Sequence, residues 1–350
     1  MQATYRKYIL EFKRPSGTSR GVMTHKDTYF IVLKDNEKQG VGECGLLKGL
    51  SIDDVPDYEE KLSWACDNID MGKEALWDAL KDYPSIQFGV EQAFLSLMSQ
   101  NPFVLFPSKF TDNNVAIPIN GLVWMGSEQY MHKQIEQKLE EGFKCIKLKI
   151  GAIDFDKELA LLKSIRKKYT PQEIEVRVDA NGAFSSMEAL DKLERLSKFQ
   201  IHSIEQPIQA GNFDEMRELC TKSPIPIALD EELIGVVNQI EKEKLLRRIQ
   251  PQYIILKPSL IGGFKGSMEW IRLADKYNIG WWITSALESN IGLNAIAQWT
   301  YTLGNKLPQG LGTGGLYTNN FESPLRVEQG TIAYVKNANW ENNLIDSICI

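Results

Sequence analysis

The chain has 350 residues, 43% of them hydrophobic and 25% charged, enough apolar material for a large core. That excludes intrinsically disordered, collagen-like and small disulfide-stapled proteins. With 40 basic residues against 46 acidic ones the formal charge is −6, which gives no means of recruiting a polyanion, so nucleic-acid binding is excluded as a main task. The five cysteines are scattered without a C-x-x-C pair, the N-terminus is charged, and no run approaches 18 uncharged apolar residues. The expectation is a cytoplasmic protein with reduced thiols, no membrane association and no disulfide framework.

Taken in chain order, the first 114 residues read as one unit. Residues 28–33 (TYFIVL) read as a strand of an antiparallel sheet, and residues 55–99 as helical, with Val90, Phe94 and Leu97 at i, i+4 and i+7. From residue 115 short apolar runs alternate with helix-period segments. The runs are VAIPIN (115–120), CIKLKI (145–150), IEVRVDAN (174–181), HSIEQP (202–207), PIALDE (226–231), YIILKPS (253–259) and WWITSA (281–286). Between them, Met131, Ile135 and Leu139 keep a helical period, as do Phe155, Leu159, Leu162 and Ile165. Ser185 and Glu188 form a capping-box pattern ahead of Leu190, Leu193 and Leu196. Such alternation predicts right-handed βαβ units around a parallel sheet. The first run carries no G-x-G-x-x-G turn, so an α/β barrel is expected rather than an open dinucleotide-binding sheet.

The apolar runs end on Lys149, Asp179, Glu205, Asp230, Lys257 and Ser285, spaced 30, 26, 25, 27 and 28 residues apart. One polar residue per βα unit, always at the C-terminal end of a strand, places all of them on the rim where barrel enzymes work. Asp179, Glu205 and Asp230 come from consecutive strands. Three neighbouring carboxylates repel unless a cation neutralises them, and oxygen-only donors select a hard one, Mg²⁺ or its substitute Mn²⁺. Lys147 and Lys149, two apart, share the inward face of their strand with Cys145, and Lys257 lies on the far side of the carboxylates. A lysine near a dication and a second ammonium is expected to shift towards its neutral form and serve as a base. This set suits proton abstraction α to a carboxylate, so the expected partner is a small-molecule carboxylate. A non-catalytic, metal-stabilised binding protein would need the carboxylates but not both lysines.

The segments KLK (147–149), DAN (179–181), EQP (205–207), ALDE (228–231) and KPSLIGG (257–263) resemble those of the enolase superfamily, in its muconate-lactonizing-enzyme-like subgroup. The resemblance implies a modified (β/α)₇β TIM-type barrel over about residues 115–310. An α+β capping domain would comprise residues 1–114, with residues 311–350 returning to complete both. It also implies Asp179, Glu205 and Asp230 as metal ligands, Lys149 as base, Lys257 as the lysine opposite, and Asn181 and Glu231 as their supports. The subgroup contains cycloisomerases, N-acylamino acid racemases, dipeptide epimerases and o-succinylbenzoate synthases. GLGTGG (310–315) lacks the D-x-D expected of a dipeptide epimerase, while RPSGTSRG (14–21) and TSALESNIG (284–292) are similar to segments of the synthases. Ser285, Ser289 and Asn290 at a strand-to-helix turn, Thr313 in the glycine-rich loop and Arg20 in the early loop are the candidate substrate-binding residues. The oligomeric state is left open, a homo-oligomer included.

Overall fold

The computed structural model describes residues 1–18, 21–113, 115–336 and 338–349. Strands β1 (Gln2–Thr18) and β2 (Gly21–Asp35) form a long antiparallel hairpin, and β3 (Lys38–Cys44) pairs with β2. Helices α1 (Tyr58–Asp67), α2 (Lys73–Ala79) and α3 (Pro84–Met98) cover one face of this sheet. The uninterrupted apolar run in β2 follows from burial on both faces. Tyr29, Ile31 and Leu33 enter the core shared with the helices, whereas Phe30 and Val32 enter a second core closed by the C-terminal tail. Helix α3 lies almost on the backbone of β3: a Cβ on Gly42 would meet the Gly89 carbonyl oxygen at 1.9 Å, so only glycine permits this approach.

After α4 (Lys109–Asn113) and β4 (Ile117–Pro118) the parallel sheet begins. Its strands are β5 (Gly121–Val123), β6 (Cys145–Lys149), β7 (Glu175–Asp179), β8 (Ser203–Glu205), β9 (Ile227–Leu229), β10 (Tyr253–Leu256) and β11 (Gly280–Ile283). Each is parallel to the next. The connecting helices are α5 (Glu128–Glu140), α6 (Phe155–Lys168), α7 (Ser186–Ser197), α8 (Phe213–Lys222), α9 (Gln239–Ile249), the short α10 (Pro258–Ile261) followed by α11 (Gly263–Lys276), and α12 (Asn290–Thr302). The capping box at Ser185 and Glu188 is formed.

Closure of the barrel rests on two residues. Gln309 bridges to Ile119 and Gly310 to Thr284, both in parallel register, so this dipeptide stands as the eighth strand between β11 and the entry to β5. The architecture is a (β/α)₇β barrel under an α+β cap, as the sequence resemblance implies. One strand assignment is corrected. Residues 115–120 are not the first barrel strand, because Ile117 and Pro118 pair with β13 (Thr331–Tyr334), itself joined to β12 (Leu325–Glu328), and the first pairing to β6 comes from 121–123. Beyond the barrel the tail runs back along the hairpin. The Lys13 amide donates to the Leu316 carbonyl and the Thr318 amide to that of Glu11, and α13 (Leu344–Cys349) lays Leu344, Ile345 and Ile348 on Phe30 and Val41. No helix among the described residues is long and apolar enough to cross a membrane.

Cap and barrel also meet at Glu91 of α3, which accepts hydrogen bonds from the Phe264 amide (2.6 Å) and the Lys265 amide (3.2 Å) at the start of α11. Gly263, with φ +70°, makes room, since a Cβ there would meet Glu91 Oε2 at 2.1 Å. Burial pushes the Glu91 carboxyl from 4.5 up to about 7 against these two donors. A carboxyl with a raised folded-state pKa holds its proton more tightly when folded, so its contribution is present below pH 4.5 and lost as pH rises through about 7. Denaturant unfolding at pH 5 and pH 8 is therefore expected to show a loss of up to about 3 kcal/mol from this group, a loss that Glu91→Gln abolishes.

Candidate active site

Because side chains alternate along a strand, Cys145, Lys147 and Lys149 of β6 all point into the barrel, as do Arg177 and Asp179 of β7. The parallel register sets Lys149 beside Asp179 and Asp179 beside Glu205. The structure thereby gathers Lys147, Lys149, Asp179, Glu205, Asp230 and Lys257, all buried except Lys257, which is partly exposed. Lys147 Nζ and Lys149 Nζ both lie 3.0 Å from Asp179 Oδ2, and Lys147 also contacts Glu205 Oε2. Lys257, four strands away across the mouth, pairs with Asp230.

Asn181 ties the rim together. Its side-chain oxygen accepts from Lys149 Nζ (2.7 Å), its amide group donates to Glu231 Oε1 (2.9 Å), and its backbone N–H donates to Asp179 Oδ1 (2.9 Å). Its φ of +45° is the left-handed conformation asparagine tolerates better than most residues. Gln206, at φ +40°, is buried beneath Asp230, and its Oε1 accepts from the Asp230 and Glu232 amides.

Charge is distributed unevenly. Burial would raise the Asp179 carboxyl, but Lys147, Lys149 and Lys257 outweigh it and hold it well below the usual range. Glu205 is pushed up to about 8 by burial and by Asp179 and Asp230, against the pull of Lys147 and Lys257. Its Oε1 is buried without a hydrogen-bond partner. The expected shift of the lysines towards neutrality rests on a dication beside them; among the protein's own groups the balance at two of them runs the other way. Burial lowers both, yet Asp179 and Glu205 around Lys147, and Asp230, Glu205 and Glu231 around Lys257, raise them above the ordinary value. Among the described residues no three His, Cys, Asp or Glu side chains form a preformed metal cage, because ammonium groups sit between the carboxylates.

Above this cluster opens a cavity of about 300 Å³. Lys147, Lys149 and Lys257 form its charged wall, and Asn120, Trp124, Ser285, Thr313 and Gly310 line the barrel side. Val22, Met23, Leu47, Lys48 and Leu50 of the capping domain cover it. Ser285 and Thr313 thus reach the cavity, Thr313 Oγ1 donating to Ser285 Oγ at 2.8 Å. Ser289 and Asn290 do not line it. Ser289 Oγ donates to Glu43 and caps Ile291, while Asn290 Nδ2 donates to the Phe321 carbonyl in the tail. Arg20 lies outside the described residues. The cap residues carried no sequence signal, being, Lys48 aside, apolar positions near a hairpin tip and in a loop. Lys26 and Glu43, charged positions within otherwise strand-like runs, were the visible hint of polar burial in the cap.

Three carboxylates on consecutive strand ends, lysines on both sides of a cavity, and a cap closed by the chain's two ends define an enzyme of the enolase superfamily. The enolase C-terminal domain-like family matches residues 130–337. The o-succinylbenzoate synthase of Desulfotalea psychrophila is 47% identical, over 95% of this chain and 98% of its own length. The crystal structure of MenC from that organism superposes with a TM-score of 0.84 at 43% identity, covering 95% of this chain and 99% of the other. An L-Ala-D/L-Glu epimerase of Francisella tularensis subsp. novicida is more distant, 24% identical over 84% of this chain and 85% of its own length. The chain belongs to the enolase superfamily and, within it, to the o-succinylbenzoate synthase family.

The ion pairs of Lys147 lead to a stability test. Removing one partner from a buried pair leaves the other charge uncompensated, at a cost of about 3–5 kcal/mol. Lys147→Met should lose stability on that scale in urea unfolding at about pH 9, above the value of about 8 to which Glu205 is raised, where its carboxylate is charged. Combining it with Glu205→Gln, which removes the carboxylate left behind, should recover much of the loss.

Proposed function

We propose that this chain catalyses the o-succinylbenzoate synthase reaction of menaquinone biosynthesis, the loss of water from 2-succinyl-6-hydroxy-2,4-cyclohexadiene-1-carboxylate to give 2-succinylbenzoate. The observation that carries this reading is a cavity walled by Lys149 on one side and Lys257 on the other, above three buried carboxylates, in a chain 47% identical to a synthase.

Enzymes of the superfamily use Mg²⁺ in general. The residues present fit such an ion: the donors are oxygen only, they sit on adjacent strands, and Glu205 Oε1 is buried without a partner. Asp179, Glu205 and Asp230 would hold it, with Mn²⁺ as a substitute. When bound, the ion supplies fixed positive charge that stabilises the enediolate formed as the α-proton leaves.

Lys149 removes that proton with its Nζ, held on the cavity wall by Asp179 and Asn181. The C–O bond to the ring hydroxyl then breaks on the same face, and the departing oxygen takes the proton back from Lys149 and leaves as water. Lys257 stays an ammonium, which Asp230 favours, and lies against the opposite ring face as an electrostatic and cation–π partner. Ser285 and Thr313 are proposed to contact the succinyl arm. No carboxylate lines the cavity among the described residues, so nothing there would hold the ammonium of a dipeptide, and the epimerase reading gains no support.

Purified protein is expected to consume the diene, followed by its ultraviolet absorbance, only with Mg²⁺ or Mn²⁺ after EDTA treatment. Consumption unaffected by chelation would remove the metal from the reading, and no consumption at all would remove the synthase. In the same assay Lys149→Ala should lower kcat by roughly 10²–10⁴-fold, the usual worth of a positioned base. Turnover near the wild-type value would reassign the base.

A further inference from the structure

Beneath the cavity lies a second buried polar cluster that the reaction above does not use. Its centre is Glu288, fully buried in the turn between β11 and α12. One carboxylate oxygen accepts from Ser285 Oγ at 2.5 Å, and the other accepts from Ser259 Oγ. Ser285 lines the cavity. Ser259 lies two residues past Lys257, inside the single turn of α10 that Lys257 opens. Both oxygens of one carboxylate therefore grip the two turns that carry Lys257 and Ser285. The grip is geometrically demanding: Leu287, inside the turn, is held at φ +64°, and its carbonyl accepts from Tyr317 Oη at 2.7 Å.

The capping domain closes the cluster. At Gly45 a Cβ would meet Ser259 Oγ at 2.6 Å and Glu288 Cγ at 3.1 Å, so the cap backbone is pressed onto this pair. Glu43 accepts from Thr28 Oγ1 (2.9 Å), Ser289 Oγ (2.6 Å) and the Ser289 and Gly292 amides (2.9 Å each), capping α12 from the other domain. Lys26, on the same face of β2 as Thr28, is buried with its Nζ making no hydrogen bond. Burial lowers its pKa, while Glu43, Glu288 and Asp27 act in the opposite sense. Lys26 thus lies near both carboxylates, with its Nζ hydrogen-bonded to neither.

We propose that Glu288 is a positioning residue for the reaction: through Ser259 and Ser285 it fixes the Lys257 turn and the cavity wall, and through the Gly45 backbone packed against it and Ser259 it couples both to the seating of the capping domain. The inference rests on the synthase reading. A purely structural role would lower stability without separating the kinetic constants, whereas a positioning role acts on kcat through the lysine turn and on KM through the cavity wall.

Three variants separate these cases in the diene assay, with thermal unfolding and hydrogen exchange measured in parallel. Ser259→Ala should lower kcat roughly 10- to 100-fold with KM within about twofold. Ser285→Ala should mainly raise KM, and Glu288→Gln should do both while speeding exchange in segments 257–262 and 285–289. Folded Ser259→Ala and Glu288→Gln proteins with kcat within about twofold of wild type would overturn the proposal. Should Glu288→Gln fail to fold, Ser259→Ala decides alone. If the wild-type protein leaves the diene untouched, the synthase reading falls, and hydrogen exchange still judges the grip, unchanged exchange in both segments refuting it.

Discussion

Six acidic and basic side chains packed together at the C-terminal ends of the barrel strands balance one another, and the mouth of the barrel depends on that balance. Three carboxyl groups and three lysines meet there with little access to water. Taking such charges out of water costs more than an ion pair generally returns, so the cluster is not what holds the protein together. Its stabilisation comes from elsewhere, from the apolar layer between strands and helices and from the two cores that share β2. The site is electrostatically expensive and the scaffold apolar, a division of labour suited to an enzyme that needs charge fixed in place before substrate arrives.

The same division explains what could be read from the sequence. Strand ends were legible because each carries one polar residue after an apolar run, at a nearly constant spacing, and the barrel follows from that rhythm. Asn181 and Glu231 came from the resemblance, and the structure joins them by a hydrogen bond. The closing strand was not legible, since Gln309 and Gly310 are too few to show a period. Ile117 and Pro118 were apolar enough to pass for a barrel strand, but pairing with the distant β13 claimed them. The lysine protonation argument weighed the dication and the second ammonium and left out the carboxylates packed against Lys147 and Lys257, which prevail at those two among the protein's own groups.

Ser289 and Asn290 show a subtler failure. A serine and an asparagine at the start of a helix offer donors to a ligand, but they offer them equally to neighbouring protein. Here Glu43 of the cap and Phe321 of the tail take them. Whether a helix terminus faces a cavity or another domain is decided by segments outside the helix, here 246 and 31 residues away. The cavity's apolar cover has the same origin, because Val22, Met23 and Leu47 become neighbours of the lysines only when the cap is seated.

The return of the tail has a consequence for how the chain is made. Phe30, Val32 and Val41 are synthesised before the barrel, yet the residues that cover them, Phe321, Leu344, Ile345 and Ile348, come after it. On a translating ribosome this face of the N-terminal sheet therefore stays uncovered until the barrel and the segment after it have emerged. The barrel is in the same position, as its closing dipeptide precedes the tail by only a few residues. Domain-by-domain folding during synthesis is thus closed to this architecture, and its exposed hairpin is a surface for chaperones to shield in the interval.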